Sequence, residues 1–267
     1  MPAQTAHSES GYAARSLGWA DSLDTLVTTA DVHIVFVDFD RLLETHSLSE
    51  LTDLEHRRSE RIRDTGKRLL YLAGRLALRK ILAKVLAVSP RDLEFVYGPR
   101  GKPTLLTESG SPALHFNYTL SQRFGLYAVS PGHELGVDLE MFPRKVNAGA
   151  MARTRLHPRE QSAWDSVSDG LKNDAMLACW TRKEAYGKLL GVGIRYHLNQ
   201  VPLFCNLQSD QFLTEVRGLF ESNHHLNAVS GIQIGLPHAG AAAVMFPKGK
   251  QWKPVTRIQS SLFPVPC

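Results

Sequence analysis

The stretch CWTRKEAYGKLLGVG (Cys179–Gly193) sets a Trp, two Lys and a Glu close together on one helix and then stops on glycines. At ~100° per residue, with Trp180 at the centre of the face, Glu184 lies ~40° to one side and Lys183 ~60° to the other. Gly187 falls near the centre and Lys188 at the edge, ~80° away. Leu177 and Met176 extend the face backwards. An apolar stripe therefore runs into a carboxylate flanked by amines, whereas an ordinary amphipathic helix keeps its charges opposite the apolar face. Taken alone the helix admits a plainer reading. Glu184 and Lys188 form an i,i+4 pair in the favourable order, common on solvated surfaces, and Gly191 is an ordinary C-terminal stop.

Working outward, the helix is expected over about Leu171 to Leu190, after HPREQSAW, which opens another helix with Pro158 in its first turn. Upstream, VHIVFVDF (32–39) reads as a buried strand, and SLSE at Ser47 as a capping box opening a helix. A long helix follows from about Thr65 to Ala87. Leu69, Leu72, Ala73, Leu76 and then Leu78, Ile81, Leu82, Val85 keep helical spacing until Ser89-Pro90. LEFVYG, LHFNYTLS, FGLYAVS and ELGVDLE are strand candidates, as are VPLFCNL, FLTEVRG, NAVSGIQIG and AAAVMF near the end. The order suggests an α/β (α+β) chain in which roughly one unit occurs twice, with the joint near Pro131 to Pro143. The polar residues 1–30 read as a poorly ordered tail.

Three further stretches carry chemistry. In GVDLE (136–140) the alternation of a strand sends Asp138 and Glu140 to one face, ~7 Å apart, where they suit a hard cation or a solvated strand edge. YGPRGKP (97–103) is a tight basic turn projecting Arg100 and Lys102, fit for phosphate or simply an exposed hairpin turn. FNYTLSQRFGLYAVS (116–130) reads as a hairpin. Neither a Walker A loop, nor G-x-G-x-x-G, nor G-x-S-x-G is present.

Composition bounds the possibilities. The 267 residues are 43% hydrophobic and 21% charged, as in a soluble globular protein. A formal charge of +5 and a pI near 9.2 favour acidic partners such as nucleotides, phosphates or an acidic protein. No Lys/Arg block singles out nucleic acid, and no run approaches membrane-spanning length. Cys179, Cys205 and Cys267 are odd in number and lack CxxC spacing, which argues against a disulfide framework or zinc site. His224-His225 has no Cys or His at ligand spacing. The start has no apolar secretory region, and a cytoplasmic setting is expected.

In order, the chain reads G-K-P, then F-N-x-T-x-S, then G-V-D-L-E, then W-T-R-K-E-A-x-x-K. This order and spacing resemble the 4′-phosphopantetheinyl transferases of the surfactin-synthetase-activating (Sfp) type. LAGRLALRKIL is similar to their first long helix, and the resemblance covers roughly residues 57 to 195. It implies two similar pseudo-symmetric halves, each a small mainly antiparallel sheet on a long helix, with the site in the cleft between them. Residues 31–133 would form the CoA-binding side and 134–267 the metal-binding, catalytic side. Such enzymes move the phosphopantetheine arm of coenzyme A to a serine of an apo acyl or peptidyl carrier protein, an acidic partner, and release 3′,5′-ADP.

Carried over by position, the resemblance implies that Asp138, Glu140 and Glu184 hold Mg²⁺, with Mn²⁺ as the alternative, against the CoA pyrophosphate. Glu184, or a water on the metal, would accept the serine proton. Lys102, Lys183 and Lys188 would neutralise CoA phosphates beside Thr119, with Lys188 also near the reaction. Glu160 in HPRE matches a family carboxylate near the reacting centre, and Arg68 a residue at the nucleotide end. A chain carrying both halves would complete its site as a monomer. One departure stands out: Leu120 occupies the place of a family histidine that contacts a CoA phosphate, and Arg123 is the nearest cation in that turn. Two rival readings remain. One is a metal-dependent nuclease, from D-x-E and the basic pI; the other is a non-catalytic CoA- or carrier-binding relative, from Leu120.

Overall fold

The computed structural model describes residues 23–28, 32–98, 101–105, 114–191, 198–203, 211–215, 228–233 and 240–247. The chain opens with β1 (Leu23–Thr28), β2 (His33–Asp38), α1 (Phe39–Thr45), α2 (Asp53–Glu60) and α3 (Thr65–Leu86). The hairpin β3 (Phe95–Tyr97) and β4 (Pro103–Leu105) follows, then β5 (His115–Ser121) and β6 (Phe124–Ser130). Next come β7 (Gly136–Met141), α4 (Ala148–Arg155), α5 (Gln161–Asp165) and α6 (Lys172–Leu189). The described part ends with β8 (Gln211–Glu215), β9 (Ala228–Gln233) and β10 (Gly240–Pro247).

Two four-stranded sheets result, ordered β1-β2-β6-β5 and β7-β10-β9-β8, with every neighbouring pair antiparallel. Side-chain alternation builds the layers. Val35 and Val37 of β2 and Tyr127 and Val129 of β6 pack with Leu76, Ile81 and Leu82 of α3. Ile34, Phe36, Leu126 and Ala128, on the other face, pack with Val137 and Leu139 of β7 and Ala242 and Val244 of β10. Ala243 and Met245, on the far face of the second sheet, pack with Ala185, Tyr186 and Leu189 of α6. Each half thus sets one antiparallel sheet on one long helix, and the halves share a single apolar layer. The fold expected from the sequence is the one observed.

Local expectations fared differently. Residues 23–28, expected within the unordered tail, form β1 and extend the first sheet beside β2. Ser47 opens only a short 3₁₀ turn, Leu48–Glu50; the reciprocal capping box belongs to Thr52 and Glu55, which start α2. Cys179 is disulfide-bonded, contrary to the expectation of unpaired thiols; cysteine count and spacing do not register which thiols the fold brings together. Cys205, Cys267, Arg100, His224-His225 and VPLFCNL beyond Leu203 lie outside the described residues. No helix among the described residues is long and apolar enough to cross a membrane.

One contact fixes the second half. A Cβ built on Gly136 would lie 2.0 Å from the Ala185 carbonyl oxygen and 2.4 Å from the Leu189 nitrogen. Both are backbone atoms, so no rotamer change relieves the clash, and only glycine lets β7 approach α6 this closely. Gly136→Ala should destabilise the protein by about 3 kcal/mol or more, as overpacking against backbone does. Urea unfolding measures this, and a change within about 0.5 kcal/mol, the range of a neutral surface substitution, would contradict it.

Candidate active site

β5 lies along β7, the edge strand of the second sheet, and its alternating side chains divide the work. Phe116, Tyr118 and Leu120 pack toward α3. Asn117 Oδ1 accepts from the Val137 N–H at 3.1 Å, and Ser121 Oγ accepts from the Met141 N–H at 3.1 Å. Thr119 Oγ1 donates to Asp138 Oδ1 at 3.1 Å. The polar positions of F-N-x-T-x-S therefore satisfy edge groups of β7 that would otherwise lie buried without partners.

Beside this seam is a cleft of about 370 Å³ lined by Gly101, Lys102, Pro103, residues 116–120, Gly187, Lys188 and Gly191. Lys102 reaches it from a turn closed by Gly98 N–H to Lys102 O and Gly101 N–H to Gly98 O, with Gly101 at φ +78°. Lys188 comes from the last turn of α6. Lys102, Thr119 and Lys188, from three separate stretches, thus line one wall-to-wall space. Lys188 Nζ also pairs with Asp138 Oδ1 at 2.7 Å, which joins the cleft to a group of buried carboxylates.

Asp138, Glu140 and Glu184 are all buried, and they act on one another electrostatically. Burial raises the pKa of Asp138, while the Lys188 charge and hydrogen bonds from Lys188 and Thr119 hold it down. Burial likewise raises Glu140, opposed by Arg144, which pairs with it. Burial and then the Asp138 charge push Glu184 to about 7, against the pull of Lys188 and Arg155. Its Oε1 is buried with no hydrogen-bond partner. The centre is short of positive charge.

Among the described residues no group of three or more His, Cys, Asp or Glu is arranged to hold a metal ion. Asp138 and Glu140 engage Lys188 and Arg144 instead. The donor chemistry nevertheless fits a hard divalent cation: carboxylate oxygens, one of them orphaned, with burial displacing every pKa upward.

Three expected site residues lie elsewhere. Glu160 and Lys183 are fully buried and pair at 2.8 Å. Glu160 also accepts from the N–H groups of His157 at 2.7 Å and Leu203 at 2.8 Å, while Lys183 donates to the Val201 carbonyl at 2.7 Å. They clasp the Val201–Leu203 segment against α6 and do not line the cleft. Adjacent helical residues point ~100° apart, and here Lys183 turns to Glu160 while Glu184 feels the Asp138 charge. Arg68 donates Nε and Nη2 to the Ile62 carbonyl, at 3.0 and 2.8 Å, and ties the turn between α2 and α3. Arg123, the expected substitute cation, pairs with Asp38 at 3.2 Å and Asp40 at 2.8 Å. Leu120 packs over Gly74, whose added Cβ would meet it at 2.8 Å.

Sequence reading missed Arg144, Arg155 and Asn117. Arg144 follows Glu140 by four residues, a readable spacing; Arg155 has no local signal, because α4 brings it to α6 from a distance.

The displaced carboxyl of Glu184 sets a pH dependence. With a folded pKa of about 7 against an ordinary 4.5, the folded metal-free protein holds more protons than the unfolded chain between those values. This contribution is therefore fully present below about pH 4.5 and lost as pH rises through about 7, by about 2–3 kcal/mol in all. In chelator, wild-type stability should fall more steeply from pH 5 to 8 than that of Glu184→Gln. Parallel melting profiles for the two would refute the assignment.

The sequence comparisons agree with this geometry. The family model of the 4′-phosphopantetheinyl transferase superfamily matches residues 134–236. A Synechocystis sp. protein provisionally named a 4′-phosphopantetheinyl transferase is 36% identical over 166 residues, covering 62% of this chain and 67% of that protein. The Nostoc sp. 4′-phosphopantetheinyl transferase HetI is 35% identical over 153 residues, 55% of this chain and 65% of HetI. The human L-aminoadipate-semialdehyde dehydrogenase-phosphopantetheinyl transferase is 24% identical over 198 residues, covering 69% and 63%. The match thus spans about two thirds of each relative's length. With 36% identity to the Synechocystis sp. protein over 67% of its length, and the family model matching from β7 through α6, this chain belongs to the 4′-phosphopantetheinyl transferase superfamily.

Proposed function

We propose that this protein is a transferase of the Sfp type that moves the 4′-phosphopantetheine arm of coenzyme A to a serine of an apo carrier protein. The observation that carries the reading is the double engagement of Lys188, which lines the cleft and pairs with Asp138. An anion in the cleft and the carboxylates behind it thereby share one charge. Residues 31–133 supply the Lys102 wall of the CoA site, and 134–267 supply the acidic centre.

Asp138, Glu140 and Glu184 would hold Mg²⁺, or Mn²⁺, which when bound supplies charge compensation for the CoA pyrophosphate. Lys188 and Arg144, now balancing two of these carboxylates, are then free to face phosphate oxygens, as Lys102 is at the other wall. In the reaction the serine oxygen forms a bond to the phosphorus that carries pantetheine. The bridging P–O bond breaks, 3′,5′-ADP leaves with its electron pair, and the serine proton passes to Glu184 or a water beside it. The carboxylates are buried in place before the substrate arrives, so only the cations beside them turn toward developing charge.

Incubation with CoA, Mg²⁺ and a panel of apo acyl and peptidyl carrier proteins, read by intact mass, tests this. Wild type should add the phosphopantetheine mass to a carrier serine. Asp138→Asn should lower the rate at least a hundredfold while unfolding normally, because such charge stabilisation is worth several kcal/mol. CoA binding without release of 3′,5′-ADP from any carrier would show a non-catalytic relative instead.

A further inference from the structure

The hairpin between β5 and β6 turns on two residues, Gln122 and Arg123. Gln122 has φ +53°, the left-handed region that a two-residue hairpin demands of its first turn residue and that glycine or asparagine fills with least strain. Ala87, the other non-glycine residue at positive φ among the described residues, is accounted for as the end of α3. Glutamine in the turn has no such account from the backbone. A long side chain kept at a strained position points to a task for the side chain itself.

That task lies at the end of β7. Gln122 Nε2 donates to the Met141 carbonyl at 3.3 Å, next to the bond from the Met141 N–H to Ser121 Oγ at 3.1 Å. The turn therefore takes both backbone groups of Met141, while the other edge of β7 pairs with β10 from Gly240 to Met245. Met141 directly follows Glu140. The chain leaves the strand there and brings back Arg144, which pairs with Glu140. On its opposite side the turn is tied to the first half. The Arg123 carbonyl accepts from the Phe39 N–H at 2.9 Å, and the Arg123 guanidinium pairs with Asp38 at 3.2 Å and Asp40 at 2.8 Å. One turn thus joins β2 and α1 to the last residue of β7, and the Gln122 amide closes the join. Gln122 itself is absent from the walls of the CoA cleft.

We propose that Gln122 is a positioning residue for the acidic centre: its amide pins the Met141 carbonyl and thereby fixes where Glu140 and Arg144 stand. The inference rests on the transferase reading with its cation site, and it adds the residue that holds one of the cation's carboxylates in place. Groups that orient a metal ligand without touching the metal change its affinity by about 10–100-fold when removed. Glycine at position 122 would relax the turn yet release the end of the strand, so backbone strain and site geometry are separable.

The test compares intact wild type with Gln122→Gly and Gln122→Met, which both lose the amide and differ in backbone strain. The urea midpoint should be higher in Gln122→Gly than in Gln122→Met, because glycine sheds the strain. Amide hydrogen exchange in chelator, read by mass spectrometry, follows peptides covering β7 and, as reference, β2. The β7 peptide should exchange at least about threefold faster in both variants, with the β2 peptide unchanged. Calorimetric titration with Mg²⁺ should then show binding about tenfold weaker than wild type in both variants, whatever their order in urea. At saturating Mg²⁺, 3′,5′-ADP release should show a lower kcat, with the KM for CoA changed less than about twofold. Wild-type Mg²⁺ affinity in either variant overturns the proposal, as does unchanged exchange of β7; each result would reduce Gln122 to a turn residue. Wild type that neither binds Mg²⁺ nor transfers would refute the transferase reading, and the exchange comparison in chelator would still decide whether Gln122 holds the end of β7.

Discussion

The close approach of α6 to β7 at Gly136 is the constraint on which the site depends. Without a side chain there, the strand seats its backbone against Ala185 and Leu189. Alternation along β7 sends Val137 and Leu139 into the layer between the sheets and turns Asp138 and Glu140 away from it. The turn of α6 just before Ala185 supplies Glu184. Asp138, Glu140 and Glu184 are thus all buried as a consequence of backbone packing, and burial, with the Asp138 charge adding to it, displaces the ionisation of Glu184 upward. Such a centre persists in a folded protein only because cations from different elements surround it: Lys188 from α6, Arg144 after β7 and Arg155 from α4.

The second requirement is that the halves hold their separation, since the cleft takes one wall from each. The shared apolar layer gives cohesion but little directional control. Direction comes from the seam, where Asn117, Thr119 and Ser121 bond to β7 at successive alternate positions. These bonds protect the edge of the second sheet and orient Asp138, so one motif serves both packing and chemistry.

Repeating patterns made much of this readable from sequence. The long helices, the strands and the D-x-E alternation are written in periodicity, and the two-half architecture followed from their order and the family resemblance. What periodicity does not contain is the direction of approach between distant elements. Lys183 stands next to Glu184 in sequence yet faces Glu160, because one residue of helix rotates the side chain by ~100°. Glu160 accepts from two backbone N–H groups and pairs with the Lys183 ammonium, contacts that no local pattern announces. Arg155 was invisible for the converse reason: nothing around it in sequence marks it, and only the contact of α4 with Trp180 gives it meaning. Leu120 differs from the family histidine and finds its place in packing over Gly74.

In the proposed site, Asp138, Glu140 and Glu184 would hold one cation, coupled to the CoA cleft through Lys188. Coupling means that cation and CoA strengthen each other's binding by the same factor. Calorimetric titration of CoA into wild type and Asp138→Asn, each in chelator and in saturating Mg²⁺, measures that factor directly. CoA should bind wild type at least tenfold more tightly with Mg²⁺, and Asp138→Asn should show a factor near one. Equal CoA affinity with and without Mg²⁺ in wild type would contradict it.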